Sequence, residues 1–529
     1  MISISPKNFF ISCLVASIFL AIVGMVFVAP ISAQEGGKYG GRLVFGLEKD
    51  ASTLNPFVRM QSTDLDIRTH IYEPLLDTDI KGNIVPALAQ SWDISKDGLT
   101  YTFRLRRGVK FHNGQEMTAD DVVWSANYSM NPKVGATGGT QLDKVKSVAA
   151  LDRFAVRFTL AASQASFLSR MATLRPFPVV PRDSIPENAE KFSTFPPGTG
   201  PFAFKEWKPG RELVLARFRD YWQKGVPYLD EVVFKPVEDP TVRFASVRAG
   251  DLHMIERTPY VYVKKAETGE VSQIKATPAR ISGFDRLAFN VVEPPFNNQK
   301  LRLAVAHAID KKRYLEGVYW GYGEPTDQRS YPGSPWFVKL PPMERDLAKV
   351  KTLLKEAGVG ENFEFEIMGR KGSEEAYQVL QNQLTTAGFK VKVVVLSGSA
   401  YQERTRSGEF QAVVLGGSLA PDPDDIYPAE YVCEEDAVKA KKRRLNYPGY
   451  CNPEVDRLLE EAGKITDQKK RYELYAKVTR ILNEEMPVVN LALVPRFFAY
   501  NQKVKGFATD AAGRFSTTTF GMSRVWLDK

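Results

Sequence analysis

Four histidines, His70, His112, His253 and His307, are the chain's whole stock of imidazole, and no two fall at the spacing of a metal-binding pair. That scarcity argues against a metal site built on imidazole ligands. The chain has no Gly-x-Ser-x-Gly elbow, no phosphate-cradling loop and no dinucleotide fingerprint. An enzyme needs a nucleophile, a paired acid and base, or a metal. These residues therefore favour a binder over an enzyme, with no cofactor, metal or catalytic group expected.

Binding chemistry has better candidates. The run Leu415–Tyr431, LGGSLAPDPDDIYPAEY, sets Asp422 and Asp424 on either side of Pro423. Carboxylates so placed can hold a cation, and the same three residues also suit a simple turn. Trp207 and Trp320 offer flat faces for a sugar or aromatic ligand, or for ordinary packing. Cys433 and Cys451 bracket a basic run of Lys439, Lys441, Lys442, Arg443 and Arg444. Outside the cytoplasm two such thiols read as a disulfide, worth about 3 kcal/mol on the chain-entropy argument. The basic run has no interleaved aromatics, so it reads as a solvated loop rather than a nucleic-acid surface.

Compartment is set by residues 1–33, which read as an export signal: Lys7, an apolar run from Phe9 to Val28, then Ile31-Ser32-Ala33 at the cleavage position. The run is long enough to compete as an uncleaved anchor through residues 9–28. Cys13 lies inside it, the wrong context for a lipid-modified cysteine. Without residues 1–33 the formal charge falls from +9 to +8, a mild excess that points to no polyanion partner.

The elements that must position these residues are short strands mixed with helices, the pattern of an α/β (mixed α+β) protein of two or three domains. From Ser91 to Gly114, SWDISKDGLTYTFRLRRGVKFHNG, the pattern is a hairpin turning at Lys96-Asp97-Gly98, with Tyr101, Phe103 and Leu105 alternating against polar residues. Thr118 and Asp121 then stand at capping-box spacing before a helix. Ala150–Leu160 alternates as one half-buried strand. Leu301, Val305, Ala308 and Ile309 share one helix face. Asp346–Gly358 is amphipathic through Leu347, Val350, Leu354 and Ala357. Asn452-Pro453 caps another helix, and a long one runs from about Asp467 to Met486, stopping at Pro487.

The Ser91–Gly114 string and the QEMTADDVVWS that follows resemble the signature region of the bacterial family 5 extracytoplasmic solute-binding proteins, the peptide/nickel-type receptors of ABC importers. PPGTGPF (Pro196–Phe202), FNVVEPPFNNQKLRLAVAHAID (Phe289–Asp310), Trp320–Thr326, Asp346–Gly358 and Tyr450–Ala462 are similar to that family in the same order. The resemblance implies a bilobed periplasmic-binding-protein-like fold of the three-domain type. Lobe 1 would comprise residues 34–75, an inserted small domain 76–195, and 196–285; lobe 2 would span 286–500, and 501–529 would return to lobe 1. The ligand would sit in the interlobe cleft, closed by hinge bending.

The resemblance also implies cleft positions: Asn55, Tyr72, Phe284, Asp285, Arg286, Gly417, Ser418, Leu419 and Asp422. Arg286 would pair a ligand carboxylate or a protein acid. His253 lies where many relatives carry an acid. In peptide receptors of the family the loop near residue 417 carries a Trp, and an Asp before the Asp-Pro pair holds the peptide's α-ammonium. Here Gly417 replaces the Trp, and Ala420 or Pro421 stands in the acid's place. That anchor is lost unless Asp422 or Asp424 has moved in.

The expected protein is a monomeric periplasmic receptor that captures a peptide or peptide-like solute and passes it to ABC permease and ATPase subunits, with no nucleic acid bound. An oligosaccharide, an opine-like conjugate or a metal chelate is the alternative ligand. A secreted hydrolase and a periplasmic chaperone are the rivals outside that class.

Overall fold

The structure, a computed structural model, describes residues 38–58, 62–79, 83–185, 195–420, 422–508 and 521–528. The expected signal or anchor in residues 1–33, with Lys7 and Cys13, lies outside the described residues, as does Pro421. Among the described residues no helix is long and apolar enough to cross a membrane.

Two strands dominate the molecule. Ile274–Phe289 and Val488–Asn501 pair antiparallel along most of their lengths. Their outer ends belong to different cores. Ile274 and Ala499 pack with Phe244 and Val247, and Phe498 and Tyr500 with Phe45 and Phe234. At the other end Leu287, Phe289, Val489 and Leu491 pack with Val305, Ile309 and Leu380. No buried cluster spans both sides among the described residues. Between the cores the register slips three times, between Ala279 and Ile281, between Ile281 and Gly283 and between Asp285 and Arg286, with Ile281 facing Pro495. Broken pairing and a proline without a donor N–H weaken the ladder here. The molecule is therefore bilobed, with two strands as the crossing.

One eleven-stranded sheet runs through both lobes. In lobe 2 the crossing strand Ile274–Phe289 is followed by Ala412–Ser418, Phe363–Arg370 and Phe389–Leu396. In lobe 1 Val488–Asn501 is followed by Met254–Ile255, Arg42–Leu47, Glu231–Pro236, Glu212–Arg217 and Phe202–Lys208. A separate four-stranded antiparallel sheet holds the Ser91–Gly114 hairpin as Ala89–Ile94 and Thr100–Leu105. Tyr101, Phe103 and Leu105 are buried, as their alternation required.

The capping box forms at the helix Ala119–Met130: the Thr118 N–H and hydroxyl both donate to Asp121 Oδ2, at 2.8 and 2.9 Å. Asn452 caps Pro453–Lys464, and the long helix occupies Gln468–Glu485. Ala150–Leu160 differs from expectation. It holds the end of one strand, Val145–Asp152, and the whole of the next, Ala155–Leu160. Asp152 pairs with Ala155, so Arg153 and Phe154 make a two-residue reversal that leaves no glycine or proline as a signal. In Leu347–Glu356 Val350 and Leu354 are buried, whereas Leu347 is exposed at the first turn.

Candidate functional site

The lobes meet where the segment before helix Phe167–Met171 reaches the loop after strand Ala412–Ser418. Ser166 Oγ donates to Asp424 Oδ2 at 2.8 Å, Arg170 Nε donates to Asp425 Oδ1 at 3.0 Å, and the Ala165 N–H donates to the Gly463 carbonyl at 3.1 Å. Tyr475 OH reaches the other oxygen of Asp424 at 3.4 Å. Burial pushes the Asp425 carboxyl up to about 6, against the pull of Arg170.

Asp422 has a different task. Its carboxylate receives both terminal nitrogens of Arg471, Nη1 to Oδ2 at 2.8 Å and Nη2 to Oδ1 at 2.5 Å. It also accepts the Asp424 N–H at 2.9 Å, capping the short helix Pro423–Asp425. The Arg471 guanidinium lies 4.7 Å above the Trp336 ring. Burial disfavours its charge, but the hydrogen bonds and charge of Asp422 outweigh that and hold it above its ordinary value. All three loop acids thus have protein partners.

Arg286 is likewise committed. It donates to Glu430 through Nη1 to Oε2 and Nη2 to Oε1, both 2.8 Å, and Arg329 donates to the same carboxylate. Phe284 lies against this clamp, its ring centroid 4.0 Å from the Arg329 guanidinium and 5.1 Å from that of Arg286. Across the ladder Phe284 faces Gly417. A β-carbon at Gly417 would lie 2.8 Å from Phe284 Cζ. Phe284 therefore fills the space a larger residue at 417 would need, which accounts for glycine there.

Gly416 and Gly417 are exposed and Leu419 is half-buried. The neighbouring strand pairs with Ala412–Ser418 only at Ala412 and Val413, so the Leu415–Ser418 edge is open on that side. The side chain of Ser418 lies outside what the structure describes. Asn55 and Tyr72 are buried: the Asn55 side-chain oxygen accepts the Phe57 N–H at 2.9 Å, and Tyr72 OH donates to the Pro196 carbonyl at 2.9 Å. Trp207 Nε1 donates to Asp50 Oδ1 at 3.1 Å, whereas Trp320 is exposed at 57%.

His253 sits just before the lobe 1 strand Met254–Ile255, its Nδ1 accepting the Val44 N–H at 3.0 Å. The disulfide Cys433–Cys451 is formed. The basic run is less solvated than expected. Lys439, Lys441 and Arg444 pair with Glu435, Glu409 and Glu434, but Arg443 is buried, donating to Asn290 Oδ1 at 3.2 Å and to the Tyr447 carbonyl at 2.5 Å. Ser166, Arg170, Arg329, Glu430 and Arg471 escaped sequence reasoning, because their partners lie far away in the chain.

Two lobes joined by two strands and touching across a seam define a periplasmic-binding-protein architecture. Comparison with known proteins agrees. Residues 83–437 match the family described as bacterial extracellular solute-binding proteins, family 5, middle region. The chain belongs to that family, whose members are extracytoplasmic substrate-binding receptors. The oligopeptide-binding protein AppA of Bacillus subtilis is 29% identical, over 88% of this chain and 89% of its own length. DppA from Helicobacter pylori, solved with the peptide STSA, superposes with a TM-score of 0.78 at 28% identity, covering 94% of this chain and all (100%) of that one. AgaA from A. tumefacien R10, solved with agropinic acid, gives a TM-score of 0.75 at 25% identity, covering 92% and 99%.

Proposed function

We propose that this protein is the non-enzymatic, periplasmic substrate-binding component of an ABC transporter, capturing a peptide or peptide-like solute between its lobes and delivering it to the permease as a monomer. The domain division follows the one read from the sequence, with the return crossing placed near Pro495 rather than at 500 because Phe498, Ala499 and Tyr500 pack in lobe 1, and residues 1–33 act as a cleaved signal. The observation that carries the reading is the two-strand crossing, with separate cores on either side and polar contacts closing the seam at Asp424 and Asp425. Gly417, Ser418 and Leu419 line the cleft with backbone donors and acceptors, which tolerate varied ligand side chains. Micromolar capture needs only about 8 kcal/mol of net binding free energy.

The likenesses to AppA and to peptide-bound DppA support peptides as the ligand class. An opine-like conjugate is the second reading. It draws on the likeness to AgaA and on the engagement of all three loop acids with protein partners. Small-angle scattering and calorimetric titration with mixed peptides, alongside native mass spectrometry of protein from its own host, test both. A peptide should shrink the radius of gyration and release measurable heat. Unchanged scattering and no heat across peptides and opines would overturn the receptor reading.

A further inference from the structure

Asp285 occupies an unusual position on the crossing strand. It is a buried carboxylate, 9% exposed, with no ion pair among the described residues. Tyr314 OH donates to its Oδ2 at 2.7 Å, and Tyr319 OH donates to the same oxygen. Among the described residues no donor reaches Oδ1. That oxygen lies 3.2 Å from where a β-carbon of Gly416 would stand, and Gly416 is exposed beside the open strand edge. The Tyr260 ring, from lobe 1, packs 5.2 Å from that of Tyr319. A buried carboxylate with one oxygen held by two phenols, the other turned to an exposed glycine, and aromatic rings alongside suits a bound cation.

We propose that Asp285 anchors the ammonium group of the ligand, entering over Gly416, in place of the loop acids that are bound to Arg471, Ser166 and Arg170. This inference rests on the receptor reading above and narrows it to solutes carrying a protonated primary or secondary amine. It also gives Gly416 a reason: any side chain there would crowd the approach to Oδ1. Burial raises the Asp285 carboxyl above its ordinary value while its phenol donors lower it. An arriving cation would restore the charged form.

The test titrates the full-length protein with a mixed library of di- to pentapeptides and with the same library N-acetylated. The unmodified protein should prefer the free-amine library by roughly tenfold or more, the size of one charge-assisted hydrogen bond. Asp285→Asn keeps an oxygen for the two phenols and removes the charge, so it should bring the two libraries to parity. Gly416→Ala leaves the charge in place and narrows the approach, and should also erase the preference, which keeps the test decisive if D285N fails to fold. A preference that survives either folded variant overturns the anchor. Equal binding of both libraries by the unmodified protein overturns the anchor alone. Failure of both libraries to bind or to close the lobes overturns the peptide-receptor reading as well.

Discussion

Arg471 grips Asp422 through both guanidinium nitrogens, and the pair is buried beneath the loop that follows strand Ala412–Ser418. The contact fixes where that loop leaves the sheet, and so where Asp424 and Asp425 meet lobe 1. Removing one partner leaves a buried charge uncompensated. Arg471→Ala should therefore cost about 3 kcal/mol or more, read as a lower denaturant midpoint. Replacing both residues together, as Asp422→Leu with Arg471→Met, should cost much less. A double variant as damaged as the single one would show that the pair is not the reason.

How much of this was open to inspection in the sequence depended on distance along the chain. The hairpin at Thr100–Leu105, the Thr118–Asp121 cap and the Asn452-Pro453 helix start are local, and each was legible from spacing alone. The loop around Gly417 was legible as a departure from its family, but not its cause, since Phe284 lies on another strand. Arg286 could be read as a ligand hook because nothing nearby names Glu430 as its partner, 144 residues away. Ser166 and Asp424 are 258 residues apart, and no periodicity connects them. Local signals define elements; contacts between lobes need coordinates.

Glu430 is held by two arginines, and its acidity follows. Burial alone would raise its carboxyl, but the charges of Arg286 and Arg329 outweigh burial and hold it below the ordinary range. A depressed carboxyl contributes stability above its unfolded-state value that is lost as pH falls through the folded value. Glu430→Gln should be less stable than the parent near neutrality by about 3 kcal/mol. The gap should narrow once the pH drops below about 4. Unfolding curves for both proteins from pH 3 to pH 7 would check this, and a gap that does not narrow would refute it.

His70 and His112 are buried in lobe 1, and burial lowers both to about 4 against the raising effect of backbone hydrogen bonds. Their rings lie 2.7 Å from the Asp66 carbonyl and 2.9 Å from the Gly200 carbonyl. Each is neutral when folded and charges more readily when unfolded. The stability this gives is full above the ordinary imidazole value of 6.5 and is lost as pH falls toward 4, about 3 kcal/mol per ring. The ring C2 proton resonances in the folded protein should therefore stay in the neutral position at pH 5.5. Titration of either ring near 6.5 would contradict its burial.

The seam carries the prediction closest to function. Ser166 and Arg170 from one lobe hold Asp424 and Asp425 from the other, and these contacts must break for the lobes to part. Ser166→Ala with Arg170→Ala should shift the ligand-free protein toward the open form by about thirtyfold, if each contact contributes about 1 kcal/mol. Scattering would show this as a larger radius of gyration without ligand. Closure should also respond to pH. Burial, with the charges of Asp422 and Asp424, holds the Asp425 carboxyl at about 6 in the closed seam, and opening to water would lower it. A raised carboxyl favours the closed form below its free value, and that contribution disappears as pH rises through the raised one. The closed population should therefore be larger at pH 4.5 than at pH 7.5. Asp425→Asn removes that titration, so its radius of gyration should change less over that range than the parent's.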